Sequence, residues 1–173
     1  MNSLAAGDLI GTTGIRADAF STLNGLDFSQ VSWSHGKVGA IELAGSTNVT
    51  EGYSIFISQD HNLQTPNGDI IGNFTANTGS AVSVTSPVPW VKPAQGGYLG
   101  FSIADQDGKS QFKNGALWAA IPMTPTAALS RTATNELKTY VDSLLLKLEL
   151  GEGQKAGIYE NTITVTIVPN IPQ

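Results

Sequence analysis

His35 and His61 are the only imidazoles in the chain, and there is no cysteine. A zinc site would need both histidines brought together with carboxylates. They stand in separate turn-like contexts, Trp33-Ser34-His35 and Asp60-His61-Asn62, and read as two solvated loop histidines. The lack of cysteine removes disulfides, thiolate ligands and a cysteine nucleophile. No Gly-x-Ser-x-Gly elbow is present to aim a serine at a histidine. Asp105-Gln106-Asp107-Gly108 has oxygen ligands on alternate residues followed by glycine, like the opening of a calcium loop. Lys109 comes next, with no distal bidentate glutamate, so a turn between strands is the reading taken. The expectation is a chain with no catalytic residues, no metal and no cofactor.

The aromatic residues offer a different chemistry. Trp33, Trp90 and Trp118, with Tyr53 and Tyr98, could present flat rings to the apolar faces of sugars. Trp118, between Leu117 and two alanines, reads as core. Trp90 lies among Pro87, Pro89 and Pro93, in a loop or an edge where it is expected to be exposed. Trp90 and Tyr98 are therefore the candidate ligand-binding residues, for glycans. Asn48-Val-Thr and Asn73-Phe-Thr are glycosylation sequons, with meaning only in a source that glycosylates.

The positioning elements are strands. A chain of 173 residues can bury a core as one domain. Charged residues make up 13%, glycine is abundant at 19, and threonine, serine and asparagine are frequent. That composition suits short strands with polar outer faces and glycine turns. A net charge of −5, with scattered basic residues, argues against a phosphate-binding surface, so no nucleic acid is expected. No stretch approaches the ~18 apolar residues of a membrane-spanning helix. The expected location is extracellular or the cell surface, with a signal peptide that is not part of this chain.

The clearest pattern is at the C-terminal end. Tyr159, Ile163, Val165 and Ile167 share one parity, and Glu160, Thr162, Thr164 and Thr166 the other, which predicts a half-buried strand with Ile163 inside. Leu144, Leu146, Leu148 and Leu150 alternate with Lys147 and Glu149, and glycines separate the two runs, so a hairpin over Ser143–Val168 is expected. Leu137, Val141, Leu144, Leu145 and Leu148 also fit helical spacing, so helix or strand over 135–150 stays open; the reading preferred is a strand over 143–150, preceded by a short helix near 133–140. Further strands are expected near 27–33, 38–43, 53–58, 70–75, 81–85, 98–104 and 116–121. Short strands at near-regular intervals predict an all-β fold, a single antiparallel β-sandwich, immunoglobulin-like or jelly-roll-like, of about eight or nine strands. The domain covers 20–173. Residues 1–19, glycine-rich but containing Leu4, Leu9, Ile10 and Ile15, read as an arm or peripheral strand. Such an arm either links to a neighbouring subunit or folds back on its own sandwich.

The ending Gln154-Lys-Ala-Gly-Ile-Tyr-Glu-Asn-Thr-Ile-Thr-Val-Thr-Ile resembles the closing strand of exported bacterial β-sandwich proteins: fimbrial subunits, spore-coat-protein-U-like domains and WxL-like surface domains. The segment Glu51-Gly-Tyr-Ser-Ile-Phe-Ile-Ser-Gln-Asp-His-Asn-Leu-Gln resembles an internal strand and turn of the same proteins. The likeness covers about a third of the chain. None of the tryptophans is followed two residues on by leucine, so the WxL signature is absent. The resemblance implies export, an immunoglobulin-like sandwich and self-association into a surface filament or coat. It transfers no catalytic residue. The alternative is a small carbohydrate-binding or adhesive module.

Overall fold

The computed structural model describes residues 2–3, 5–10, 13–22, 25–47, 52–76, 79–105, 110–132 and 138–170. Its elements are β1 (Asn2–Ser3), β2 (Phe20–Thr22), β3 (Gly25–Asp27), β4 (Lys37–Thr47), β5 (Tyr53–Gln59), β6 (Leu63–Gln64), β7 (Ile70–Asn73), β8 (Gly97–Ala104), β9 (Thr126–Arg131), β10 (Lys138–Leu150) and β11 (Ile163–Pro169). There is no helix among the described residues. A six-stranded sheet runs β1-β4-β10-β8-β7-β6, a three-stranded sheet runs β11-β5-β9, and β2-β3 form a ribbon. Every pair is antiparallel except β7–β8. The fold is all-β and sandwich-like, as the spacing of short strands predicts.

β10 is the strand around which the larger sheet is built. It pairs with β4 from Lys138↔Thr47 to Leu148↔Lys37, and with β8 from Ser143↔Ala104 to Leu150↔Gly97. Leu144, Leu146 and Leu148 lie opposite Ile103, Phe101 and Leu99, and all six side chains are buried. Opposite residues share a face, so these six make one layer of the core. Leu145, of the other parity, is also fully buried. Covering on both faces explains the near-continuous leucine run that spacing alone leaves ambiguous between helix and strand. A strand over Lys138–Leu150 settles that ambiguity against the helix; residues 133–137 lie outside the described residues.

The expected C-terminal hairpin does not form. β10 belongs to the six-stranded sheet, whereas β11 pairs with β5 in the other, from Ile163↔Gln59 to Pro169↔Tyr53. The connection crosses between sheets instead of turning back. It is held there by the bridge Gln64↔Glu160, by Lys155 Nζ on Asp69 Oδ1 at 2.5 Å, and by Tyr159 donating to the Lys155 carbonyl at 2.8 Å. β11 is consequently an edge strand. Ile163 and Val165 pack on the core but are only half-buried, so the expectation of a buried Ile163 is corrected.

β5 follows its predicted alternation: Tyr53, Ile55 and Ile57 are buried, with Ser54, Phe56 and Ser58 partly covered. Two expected strands are replaced by single bridges. Thr75↔Ala81 stands where 81–85 is predicted, and Val88↔Trp118 with Phe101↔Ala119 where 116–121 is predicted. The strand expected near 27–33 does not form: β3 ends at Asp27, and the residues after it run irregularly into a turn closed by the bridge Ser32↔His35. β9 is a strand that alternation does not announce.

Residues 5–10 and 13–19 lie on their own chain. Asp18 N–H donates to the Val38 carbonyl at 2.6 Å, and Val38 N–H donates back to the Asp18 carboxylate at 3.0 Å. Ile10 is fully buried, Ile15 packs on the core and Leu9 is exposed. Leu4 lies outside the described residues.

Candidate functional site

The loop 86–96 carries three prolines and cannot extend a ladder. It is anchored instead by Val88, whose N–H donates to the Trp118 carbonyl at 3.0 Å and whose carbonyl accepts from Trp118 N–H at 2.7 Å. This lays Trp90 over β8. The Trp90 ring stacks on Phe74, with centroids 4.4 Å apart and 9° between planes, and meets Trp118 edge-on at 5.5 Å. Tyr98 approaches Phe74 edge-on at 6.2 Å. Gly100 leaves the room: a Cβ there would lie 2.8 Å from Phe74 Cβ and 2.9 Å from Trp90 Cζ3.

The polar end of the indole is also engaged. Trp90 Nε1 donates to Glu149 Oε2 at 2.7 Å, and Lys147 Nζ sits 3.6 Å from the same carboxylate oxygen. That ammonium is 4.9 Å from the Trp90 ring centroid and 5.9 Å from that of Trp118, within cation–π range. Lys147 and Glu149 lie on the polar parity of β10, so the alternation that marks a solvated face actually builds an amphipathic lid over two tryptophans. Trp90 is half-buried, not exposed as its proline loop suggests. Phe74 stacks on the Trp90 ring and the Lys147 ammonium lies over it, so the indole is engaged by its own chain. The tryptophan that faces solvent is Trp33, 65% exposed. Its turn is held by Lys92 Nζ on the Trp33 carbonyl at 3.2 Å.

The remaining candidates are occupied by the fold. Asp105 is 1% exposed, and its carboxylate accepts Ser110 N–H at 2.9 Å and Ser110 Oγ–H at 2.8 Å. Gln106, Asp107, Gly108 and Lys109 lie outside the described residues. His35 Nδ1 contacts Ser34 Oγ at 2.9 Å, and His61 Nδ1 the Asn62 carbonyl at 2.7 Å. Among the described residues no group of three or more His, Asp or Glu side chains converges as a metal site. Asn73 uses both ends of its amide on Ile121, donating to the carbonyl at 2.6 Å and accepting the N–H at 2.8 Å. Asn48 lies outside the described residues.

Among the described residues β11 pairs with β5 on one side and with no strand on the other, which leaves it an edge of the three-stranded sheet. At one end of the strand Asp60 N–H donates to the Thr162 carbonyl, and at the other Asn170 N–H donates to the Gly52 carbonyl. In an antiparallel ladder hydrogen-bonded pairs alternate. Thr164, Thr166 and Val168 therefore bond to β5, while the N–H and C=O of Ile163, Val165 and Ile167 point away from the sheet. The strand Ile-Thr-Val-Thr-Ile-Val-Pro carries no charge, and Ile167 and Val168 are 42% and 41% exposed. Its start is clasped by Asp60, whose carboxylate accepts Thr162 N–H at 2.9 Å and His61 N–H at 2.8 Å. The Thr162 hydrogen bond, aided by the His61 N–H and ring, holds the Asp60 carboxyl below the usual carboxylate range.

No family model, no curated protein and no solved structure matches this chain.

Proposed function

We propose that this chain is a non-catalytic structural protein of a cell surface, a filament or coat subunit that works by associating with copies of itself. The observation that carries the reading is the open, uncharged edge of β11. Proteins that remain single usually blunt such an edge with lysines, bulges or a covering loop, because an unpaired strand templates pairing with another chain. Here the only blunting residue within the strand is Pro169, at its very end. The uses found for the polar side chains support the reading too: Asp105, Asn73, Arg131 and Asp142 are all spent on internal contacts. The sparse charge and the likeness of the C-terminal strand to exported sandwich proteins point to the surface. Electron microscopy of the purified protein, with immunogold labelling of source cells, tests this. Ordered assemblies and surface label are expected; labelling confined to the cell interior would overturn it.

A second reading, glycan binding, is favoured by the exposed Trp33 alone. Quenching or shift of tryptophan fluorescence by polysaccharide, lost in Trp33→Ala, would be its mark.

A further inference from the structure

We infer that two copies of this chain pair through β11, antiparallel and two-fold symmetric about Val165, joining their three-stranded sheets into one continuous six-stranded sheet. The inference rests on the self-associating reading above and names the interface and its register.

The phase of the free groups selects this register. Ile163, Val165 and Ile167 offer outward N–H and C=O groups, and Pro169 lacks the N–H that would extend the series. An antiparallel partner must present hydrogen-bonding residues at the same two-residue spacing. A second β11 does so when Val165 faces Val165, which sets Ile163 against Ile167 at both ends. All three pairs can exchange both hydrogen bonds. Residues on the other parity then meet as Thr164 against Thr166, a threonine pair of the kind that stabilises cross-strand contacts. The apolar parity extends the half-buried Ile163 and Val165 layer of each copy into its partner. No charged residue lies in β11, so no like charges meet at the dyad. The contact is isologous, so this interface closes on itself, and growth beyond a pair uses another surface. It is also small, so association is weak and concentration-dependent.

The chain has no cysteine, which makes the register readable by cross-linking. In Val165→Cys the two sulfurs meet at the dyad, with Cα atoms about 5.5 Å apart, inside the roughly 4.4–6.8 Å range of a disulfide. In Ile163→Cys or Ile167→Cys alone the like residues lie about 14 Å apart along the strand. Mild oxidation should therefore give disulfide dimers of Val165→Cys about tenfold faster than of either other variant. A mixture of Ile163→Cys and Ile167→Cys should cross-link as a heterodimer. Independently, Thr164→Lys with Thr166→Lys places lysine against lysine on an exposed face, and should abolish the dimer seen by sedimentation. Mixing that double variant with Thr164→Glu/Thr166→Glu should restore it. Equal cross-linking at all three positions, or dimers indifferent to the lysines, would overturn the β11 pairing. Ordered assemblies that persist in the lysine variant would leave the structural-subunit reading standing while sinking this interface. A wild-type chain monomeric at every concentration would sink the interface, and the cell-labelling result would then decide the function.

Discussion

Arg131 and Asp142 meet in the interior of the sandwich, with Nε donating to Oδ2 at 2.9 Å and a terminal guanidinium nitrogen donating to Oδ1. The two come from different sheets, β9 and β10, and are 5% and 0% exposed. Tyr53 of β5 adds a hydroxyl donor to Asp142 Oδ2 at 3.3 Å. The pair therefore ties the three-stranded sheet to the central strand of the six-stranded one. Taking two charges out of water costs about as much as their attraction returns, so the pair adds alignment more than stability. Asp142→Asn should nevertheless cost ~3–5 kcal/mol, because it strands the buried guanidinium. The double replacement Arg131→Met/Asp142→Leu should recover most of that loss. Urea unfolding of the three variants checks it; a double variant no more stable than the single would mean that the pair stabilises outright.

Gly100 and Trp90 make a second testable contact. A methyl at residue 100 would also lie 3.0 Å from the Ala119 carbonyl, with no flexible neighbour to yield. Gly100→Ala should cost ~1–3 kcal/mol by overpacking, and should shift tryptophan emission as the Phe74–Trp90 stack opens. Trp90→Ala should cost ~3–5 kcal/mol. Trp33→Ala, at an exposed turn, should stay within ~0.5 kcal/mol. Denaturant melts of the three rank them; a Trp90→Ala as mild as Trp33→Ala would show that the stack is not part of the core.

Asn73 is committed to the backbone of Ile121, a fully buried residue. Asn73→Ala leaves a buried N–H without its acceptor and should cost ~1–3 kcal/mol. For the same reason the folded sequon is unavailable to a sugar. Protein from a glycosylating host should give an unmodified Asn73 peptide by mass spectrometry, and a glycan there on a normally stable protein would contradict the pairing.

Much of the fold is legible from alternation. β5, β8 and β11 are each a period-two run, and each is a strand. What alternation cannot supply is the partner. β10 and β11 are neighbours in sequence and both alternate, but Leu145 shows why they separate: its side chain is buried on the face opposite Leu144 and Leu146, which only a strand covered on both sides provides. β9 escapes notice because Ala127, Ala128 and Leu129 do not alternate and Pro125 precedes them. Trp90 misleads for a related reason. Prolines exclude a ladder, but they do not keep a loop away from a sheet, and Gly100 gives this loop a flat seat. The free edge of β11 is legible only in part: its lack of charge can be read from the residues, but its edge position needs the topology.

The last expectation concerns acid. Asp60 accepts the N–H of Thr162 immediately before β11, and this hydrogen bond favours its charged form in the folded chain. A carboxyl whose folded pKa is depressed adds stability that is complete above its unfolded pKa, about 3.9. That stability disappears as pH falls through the lower folded value. The group is solvent-exposed, so the effect is modest and confined to the start of β11. Wild type and Asp60→Asn should differ by a constant margin in melting temperature above about pH 5, and converge only as pH falls through the depressed folded value, below which aspartic acid and asparagine are both neutral. Amide exchange at Thr162 should quicken over the same window, and dimer formation through β11 should weaken with it. A margin that stays constant down to the lowest pH would mean that the Asp60 charge plays no part in holding the edge strand.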